Sequence, residues 1–133
     1  MDQGPLVIEE IDVGAELVRQ FDSYLPVKAA FWLKVSDDPY RYLYIASDQI
    51  NEANFDLAYR EVARLAGQIR SPYLNLFRVK VVGMKSPFAQ EAVATHEWFP
   101  GPMAIRFGEK TFGGVSIDDA YLYPRPLQVA GGV

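Results

Sequence analysis

The sequence has 133 residues, of which half are hydrophobic and 23% are charged, a composition that fits one globular domain with its own core and opposes disorder. The net charge of −4 opposes non-specific binding to nucleic acid, which needs an excess of Lys and Arg on the binding face. Cysteine is absent and His96 is the only histidine, which excludes disulfides, thiolate metal sites and multi-histidine metal centres.

The amino-terminal segment, residues 1–5, lacks the positive charge and the continuous apolar run of a signal peptide. No stretch of the chain approaches the run of about 18 apolar residues that a membrane-spanning helix needs. We therefore predict a cytoplasmic protein without a membrane partner.

The first predicted helix covers residues 15–25. Asp12 caps this helix, Pro26 ends it, and its apolar residues fall on one side. Residues 6–8, which precede the helix, are apolar and form either a short strand or an arm.

A β-hairpin is predicted next. Residues 28–36 alternate apolar and polar side chains, and residues 41–47 are rich in the aromatic and β-branched side chains that strands favour. The connection, Asp37-Asp38-Pro39-Tyr40, is a turn sequence, so the two strands should pair antiparallel.

A long amphipathic helix and another strand follow the hairpin. The helix is capped by Asn54, has apolar residues three or four positions apart, and ends at Gly67 or at Ser71-Pro72. Residues 76–82 then alternate apolar and basic side chains, which predicts a half-buried strand.

Ser86-Pro87 predicts the start of a short helix that ends near Thr95. Residues 96–102 form an irregular, aromatic-rich connection. Residues 103–107 and 111–117 predict two strands, and Gly113-Gly114 within the second predicts a bulge or a close backbone approach.

A last short strand is expected at residues 120–123, and residues 124–133 form a loosely ordered tail. The order of elements predicts a single α+β domain over residues 1–133. Its sheet is mixed or mostly antiparallel with five or six strands, and two main helices and one short helix pack on one face.

The sequence contains none of the standard catalytic, nucleotide-binding or metal-binding motifs, and no cofactor is expected. Asp118 and Asp119 could bind a cation or serve as an acid and base pair, but acidic pairs also occupy turns. His96 and Glu97 precede Trp98 and a Pro-Gly-Pro loop that could line a pocket, although a lone histidine near aromatic rings is often structural.

Strand alternation divides the predicted sheet residues into two faces. The face expected to contact the helices carries Phe31, Leu33, Val35, Leu43, Ile45, Phe77, Val79, Val81, Ile105 and Phe107. The opposite face carries Lys34 and Lys80, and with them the candidate interface residues Trp32, Tyr42, Tyr44, Arg78 and Arg106. Trp, Tyr and Arg are enriched in protein interfaces, so this face is either a dimer or partner surface or an ordinary solvated face. Single-stranded nucleic acid or an anionic ligand is a weaker alternative.

Several segments resemble a family of small bacterial proteins with no assigned function. These segments are residues 26–33, residues 42–47, Ala58-Tyr59-Arg60, Ile105-Arg106-Phe107 and residues 117–123. The resemblance implies a bacterial, intracellular, free-standing domain and carries over no site.

The leading hypothesis is a non-catalytic binding or protein-interaction domain that acts as a homodimer through the aromatic and basic sheet face. The alternative is a small-molecule-binding protein or enzyme with a pocket around the loop at residues 96–102 and the acidic pair, with His96, Glu97, Trp98, Asp118 and Asp119 as its ligand-binding residues. Binding to nucleic acid is not favoured, because the chain is acidic.

Overall fold

The computed structural model describes residues 4–124 and confirms an α+β fold with a mixed sheet. Within this range, three α-helices, six strands and one 3₁₀ turn follow in the order α1 (Ile8–Asp22), β1 (Ala29–Val35), β2 (Tyr42–Ala46), α2 (Phe55–Ile69), the 3₁₀ turn (Leu76–Arg78), β3 (Val79–Val82), α3 (Pro87–Trp98), β4 (Ile105–Phe107), β5 (Lys110–Phe112) and β6 (Val115–Leu122). Residues 125–133, which make up most of the predicted tail, lie outside the described residues.

Helix α1 begins at Ile8, several residues before the predicted start. The backbone N–H of Val7 donates to Oε1 of Glu10 at 3.1 Å, which satisfies one of the free donors at the helix start. Glu9 and Glu10 also lie in the first turn, where the helix dipole favours negative charge. The apolar residues interpreted as a strand or arm are therefore the entry to the helix.

The hairpin and the helix that follows it are confirmed. Strands β1 and β2 pair antiparallel, and β2 and β3 pair parallel on either side of that helix. Asn54 occupies the N-cap position of α2, but its side chain forms no capping hydrogen bond. Helix α2 ends at Ile69, and Arg70 adopts a left-handed conformation with a φ of 54°. Its Tyr59 hydroxyl accepts a hydrogen bond from the backbone N–H of Val81 at 2.9 Å, on the outer edge of β3.

Strand β3 is shorter than predicted, because a 3₁₀ turn occupies residues 76–78. The side chain of Asn75 accepts from the N–H of Phe77 at 2.9 Å and so caps this turn. Phe77, which the alternation placed against the helices, is instead 77% exposed.

The last three strands lie on one side of β1. Both β4 and β5 pair with β6, and Gly113 and Gly114 have φ values of 58° and 83°. Two successive residues with positive φ make a tight two-residue hairpin turn, which glycine adopts without strain. The predicted strand over residues 111–117 therefore reverses direction at these glycines instead of bulging. The alternative prediction, a close backbone approach, is confirmed, because a Cβ at Gly113 would lie 3.1 Å from the backbone of Phe88.

The strand order is β3-β2-β1-β6-β4, with helices on both faces of the sheet. Helices α1 and α2 contribute Leu17, Phe21 and Val62 to one core layer, and α3 contributes Ala89 and Ala92 to the other. The prediction that all helices lie on one face is wrong. Its physical reason is visible in the central strand β1, whose residues are buried on both sides and so need two covering layers.

Candidate functional site

The acidic pair lies inside β6 and not in a turn. Lys34 of β1 pairs with Asp119, and Val35 pairs with Ile117, so Asp118 is an extra residue in β6. A bulge of this kind bends the strand and disturbs the alternation of its side chains. Both carboxylates therefore reach cations, although neighbouring residues of a regular strand point to opposite faces.

Asp118 forms an ion pair with the buried Lys34. The ammonium Nζ of Lys34 lies 2.9 Å from Oδ2 of Asp118, and the hydroxyl of Ser36 donates to Oδ1 at 3.0 Å. The hydrogen bonds from Lys34 and then from Ser36 lower the pKa of the Asp118 carboxyl below its ordinary value of 3.8. The carboxylate thus neutralises a cation that lies in the interior of the protein.

The variant Asp118→Asn is expected to have a stability that depends less on pH in acid. The folded protein keeps this carboxyl ionised at a lower pH than the unfolded chain does. Its contribution is therefore complete above the ordinary pKa of 3.8 and is lost as the pH falls through the lower pKa of the folded state. Urea unfolding should find the variant less stable than the wild type at neutral pH, with the difference shrinking as the solution is acidified. A difference that stays constant across this range would contradict the assignment.

Asp119 forms a two-point ion pair with Arg41. Nε and Nη2 of the guanidinium lie 3.3 Å and 3.0 Å from the two carboxylate oxygens, and Nη1 donates to the carbonyl of Gly4 at 3.1 Å. The side chain of Arg41 is only 4% exposed. Both members of the acidic pair are therefore engaged in structural ion pairs with buried cations.

His96, Glu97 and Trp98 lie in the last turn of α3 and not in a loop, because this helix is longer than predicted. His96 is buried and lines a small cavity with Ala29 and Tyr123. Glu97 and Trp98 are exposed, so the three side chains do not converge.

The acidic pair and the histidine are also separated by most of the length of β1. Asp119 pairs with Lys34 near the end of β1, whereas His96 lies beside Ala29 at its start. Five residues of extended chain span about 16 Å, far beyond hydrogen-bond reach. The common pocket predicted for His96, Glu97, Trp98, Asp118 and Asp119 therefore does not form.

The five predicted interface residues do not share one face of the sheet. Phe31 of β1 pairs with Tyr44 of β2, and their rings stack 5.2 Å apart on the face covered by α3. Trp32, the next residue of β1, lies on the opposite face and is 4% exposed beneath α1 and α2. The alternation of β1 was assigned to the wrong face, because a strand buried on both sides lacks the polar residues that mark the outer face.

The other three predicted interface residues are divided in the same way. Tyr42 lies on the α3 face with two cations, the Nζ of Lys80 at 4.3 Å and the Cζ of Arg78 at 5.8 Å from its ring centroid. Arg106 pairs with Tyr121, on the face of α1 and α2. A continuous surface of the kind predicted is therefore absent from the described residues.

Trp32 has a structural role that its sequence position does not reveal. Its indole Nε1 donates to the hydroxyl of Tyr123 at 2.9 Å, and this hydroxyl donates to the backbone carbonyl of Ile11 at 2.6 Å. Burial raises the pKa of Tyr123 well above its ordinary value of 10, so the hydroxyl keeps the proton that it donates. Burial also raises the pKa of Tyr44, to about 12, which keeps that ring neutral in the opposite layer.

Sequence reasoning missed an exposed apolar surface at the end of α3 and in its connection to β4. This segment, residues 98–103, begins with the last residue of α3, and we call it the apolar loop. It exposes Trp98 by 80%, Met103 by 77% and Phe99 by 61%. The available signal was a run of six residues, Trp-Phe-Pro-Gly-Pro-Met, without one polar side chain. This run was interpreted as the possible wall of a pocket, whereas its large side chains are exposed to solvent.

A second missed feature is a groove of about 1080 Å³, which we call the groove. It lies between the segments that follow β2 and β3, at the carboxyl ends of the two parallel strands, where α/β sheets commonly bind ligands. Its apolar lining includes Ile50, Ala53, Phe55 and Met84, and its acidic lining is Asp48, Glu52 and Asp56. The available signal was the strand, helix and strand order over residues 41–82, because such a unit commonly joins two parallel strands.

Within residues 4–124, no helix is long and apolar enough to cross a bilayer, and no three His, Asp or Glu side chains are grouped as ligands for a metal ion. No protein-family model, curated protein or solved structure matches the chain. The resemblance to a bacterial family therefore stays a prediction.

Proposed function

We propose that the protein is a non-catalytic protein-interaction domain that acts as a homodimer, with the apolar loop as the centre of its contact surface. The observation that carries the proposal is the exposure of Trp98, Phe99 and Met103 in one short segment. Contiguous apolar surface on a protein usually marks an interaction site, and tryptophan is among the residues that contribute most to binding at interfaces.

The backbone of the apolar loop also favours binding. Pro100 and Pro102 fix two φ angles, which lowers the conformational entropy that the loop loses when a partner immobilises it. The rings of Trp98 and Phe99 have few rotatable bonds, so their side-chain entropy cost is small compared with the area that they bury. A partner can therefore bind this loop with little ordering cost.

The positions of the titratable groups support a role without catalysis. Asp118 and Asp119 neutralise the buried Lys34 and Arg41, and His96 is buried against the start of β1. A general acid or base must reach a substrate proton within about 3 Å, and these groups face the protein interior or its own cations.

Size-exclusion chromatography with light scattering tests the proposal. The wild type is expected to be a dimer at high micromolar concentration, and Trp98→Ser should weaken the dimer by about 2 kcal/mol or more, roughly thirtyfold in the dissociation constant. Because Trp98 is exposed in the monomer, this substitution should leave the thermal unfolding temperature unchanged at concentrations too low for the wild type to dimerise.

Phe77→Ser is the matched control, since Phe77 is equally exposed but lies in the 3₁₀ turn before β3. This variant should remain a dimer. A wild type that is monomeric at high micromolar concentration would overturn the proposal. Trp32→Ala is not a suitable probe, because Trp32 is part of the core and its truncation would destabilise the fold by about 3–5 kcal/mol.

A further inference from the structure

The apolar loop and the groove lie at the same end of the sheet. Ala29 at the start of β1 pairs with Ala46 at the end of β2, and Lys28 lies 3.7 Å from Asp48, a lining residue of the groove. His96, two residues before the apolar loop, lines a cavity with the same Lys28 and Ala29. One end of the molecule therefore carries both an exposed apolar segment and an apolar concavity.

The chemistry of the two features is complementary. The groove offers Ile50, Phe55 and Met84 as apolar contacts, and the apolar loop offers two aromatic rings and a methionine. Phe55 is 42% exposed, so this side of the groove has apolar surface that a partner could cover. In the single chain, both of these apolar surfaces remain exposed to solvent.

Charge complementarity supports the same pairing. Asp48, Glu52 and Asp56 give the groove three carboxylates, of which Asp48 pairs with Lys28, and Lys85 is the only cation among the described residues of the lining itself. The rim therefore keeps an excess of negative charge. Arg106, three residues beyond the apolar loop, is exposed and forms no ion pair with the residues that the structure describes. When the loop enters a groove, Arg106 approaches the acidic rim and can neutralise part of it.

Two-fold symmetry allows both contacts to form twice. A closed dimer with two-fold symmetry uses the same surface on both copies. If the loop of the first copy contacts the groove of the second, the loop of the second copy makes the same contact with the groove of the first. The two rings of the loop expose on the order of 300 Å² per copy, from about 150–250 Å² for a large aromatic side chain. With the groove walls and both copies counted, the contact reaches on the order of 1,000 Å², near the lower limit for a specific interface.

We infer that the groove is the receptor for the apolar loop of a second copy of this chain, so that the dimer forms by reciprocal insertion of two loops into two grooves. The inference depends on the proposed dimer and adds the surface that receives the loop.

Cysteine crosslinking tests the inference directly, because the chain contains no cysteine of its own. Met103→Cys places a thiol on the apolar loop, and Ala53→Cys places one on the exposed wall of the groove. The two proteins are mixed, one of them with an affinity tag, and treated with a short bis-maleimide crosslinker. The expected product is the mixed covalent dimer, and neither protein alone should crosslink.

Phe77→Cys replaces Ala53→Cys in the matched control and should give no mixed product with Met103→Cys. Adding Trp98→Ser to the loop variant should also abolish the product, since the loop then loses its main anchor. A wild-type dimer in light scattering, combined with crosslinks between two loops or with none at all, would overturn the inference while the proposed function stands. A monomer in light scattering would overturn both.

Discussion

Gly14→Ala is expected to destabilise the protein by about 2–4 kcal/mol, although alanine is the better helix former. A Cβ at position 14 would overlap the hydroxyl of Tyr123 and lie 3.2 Å from the ring of Trp32. Overpacking of a dense core costs about 1–3 kcal/mol, and displacement of the Tyr123 hydroxyl also breaks its buried bonds to Trp32 and Ile11, at about 1–3 kcal/mol. The gain in helix propensity is about 1 kcal/mol and does not offset these losses.

Thermal unfolding followed by circular dichroism measures the effect, and the midpoint should fall by roughly 8–15 °C. Gly67→Ala is the matched control, because Gly67 lies in α2 and a Cβ there would meet no atom within 4 Å. This variant should be as stable as the wild type or slightly more stable. Equal effects of the two substitutions would show that the contact between α1 and Tyr123 is not tight.

Asp119→Asn should destabilise the protein by about 2–4 kcal/mol. The amide has the shape of the carboxylate but offers only one acceptor oxygen, and its NH₂ group faces the donors of Arg41. Removal of one partner from a buried ion pair costs about 3–5 kcal/mol, and we expect a smaller value because Asp119 is 29% exposed. The loss arises mainly from the buried guanidinium, which loses its two-point contact with the Asp119 carboxylate.

Urea unfolding at neutral pH tests this expectation, with Glu16→Gln as the control. Glu16 pairs with Arg19 on the surface of α1, where both side chains are more than one third exposed. Solvent screens such a pair, so the control should unfold at the same urea concentration as the wild type. An equally small effect of Asp119→Asn would mean that water reaches Arg41.

Local patterns predicted the middle of the fold well. The β1–β2 hairpin, the N-cap position of α2 at Asn54 and the strand on the far side of that helix all follow from alternation, helical spacing and turn residues. These signals are local, and packing against the rest of the chain reinforces them instead of overriding them. The start of α1 was missed because the capping contact there joins Val7 to Glu10, an acid that did not stand out among several others.

The candidate site could not be predicted from strand alternation. A period of two identifies two faces only when one face is polar, and residues 29–33 of β1 are apolar throughout. Trp32 was therefore placed on the surface, and its partner Tyr123, 91 positions away, had no local signal. In contrast, the apolar loop is recognisable in the sequence as a run without polar residues. Only the structure shows that its large side chains are exposed.

The hydroxyl of Tyr59 on the outer edge of β3 has a consequence for how copies of this protein can meet. A foreign strand that approaches this edge would have to displace that hydroxyl before it could pair with Val81. The hydroxyl of Tyr59 therefore hinders main-chain pairing at this edge. Main-chain pairing is the type of contact through which sheets extend into open fibres. Association is directed instead to side-chain surfaces, which can close on themselves and stop at a defined number of copies.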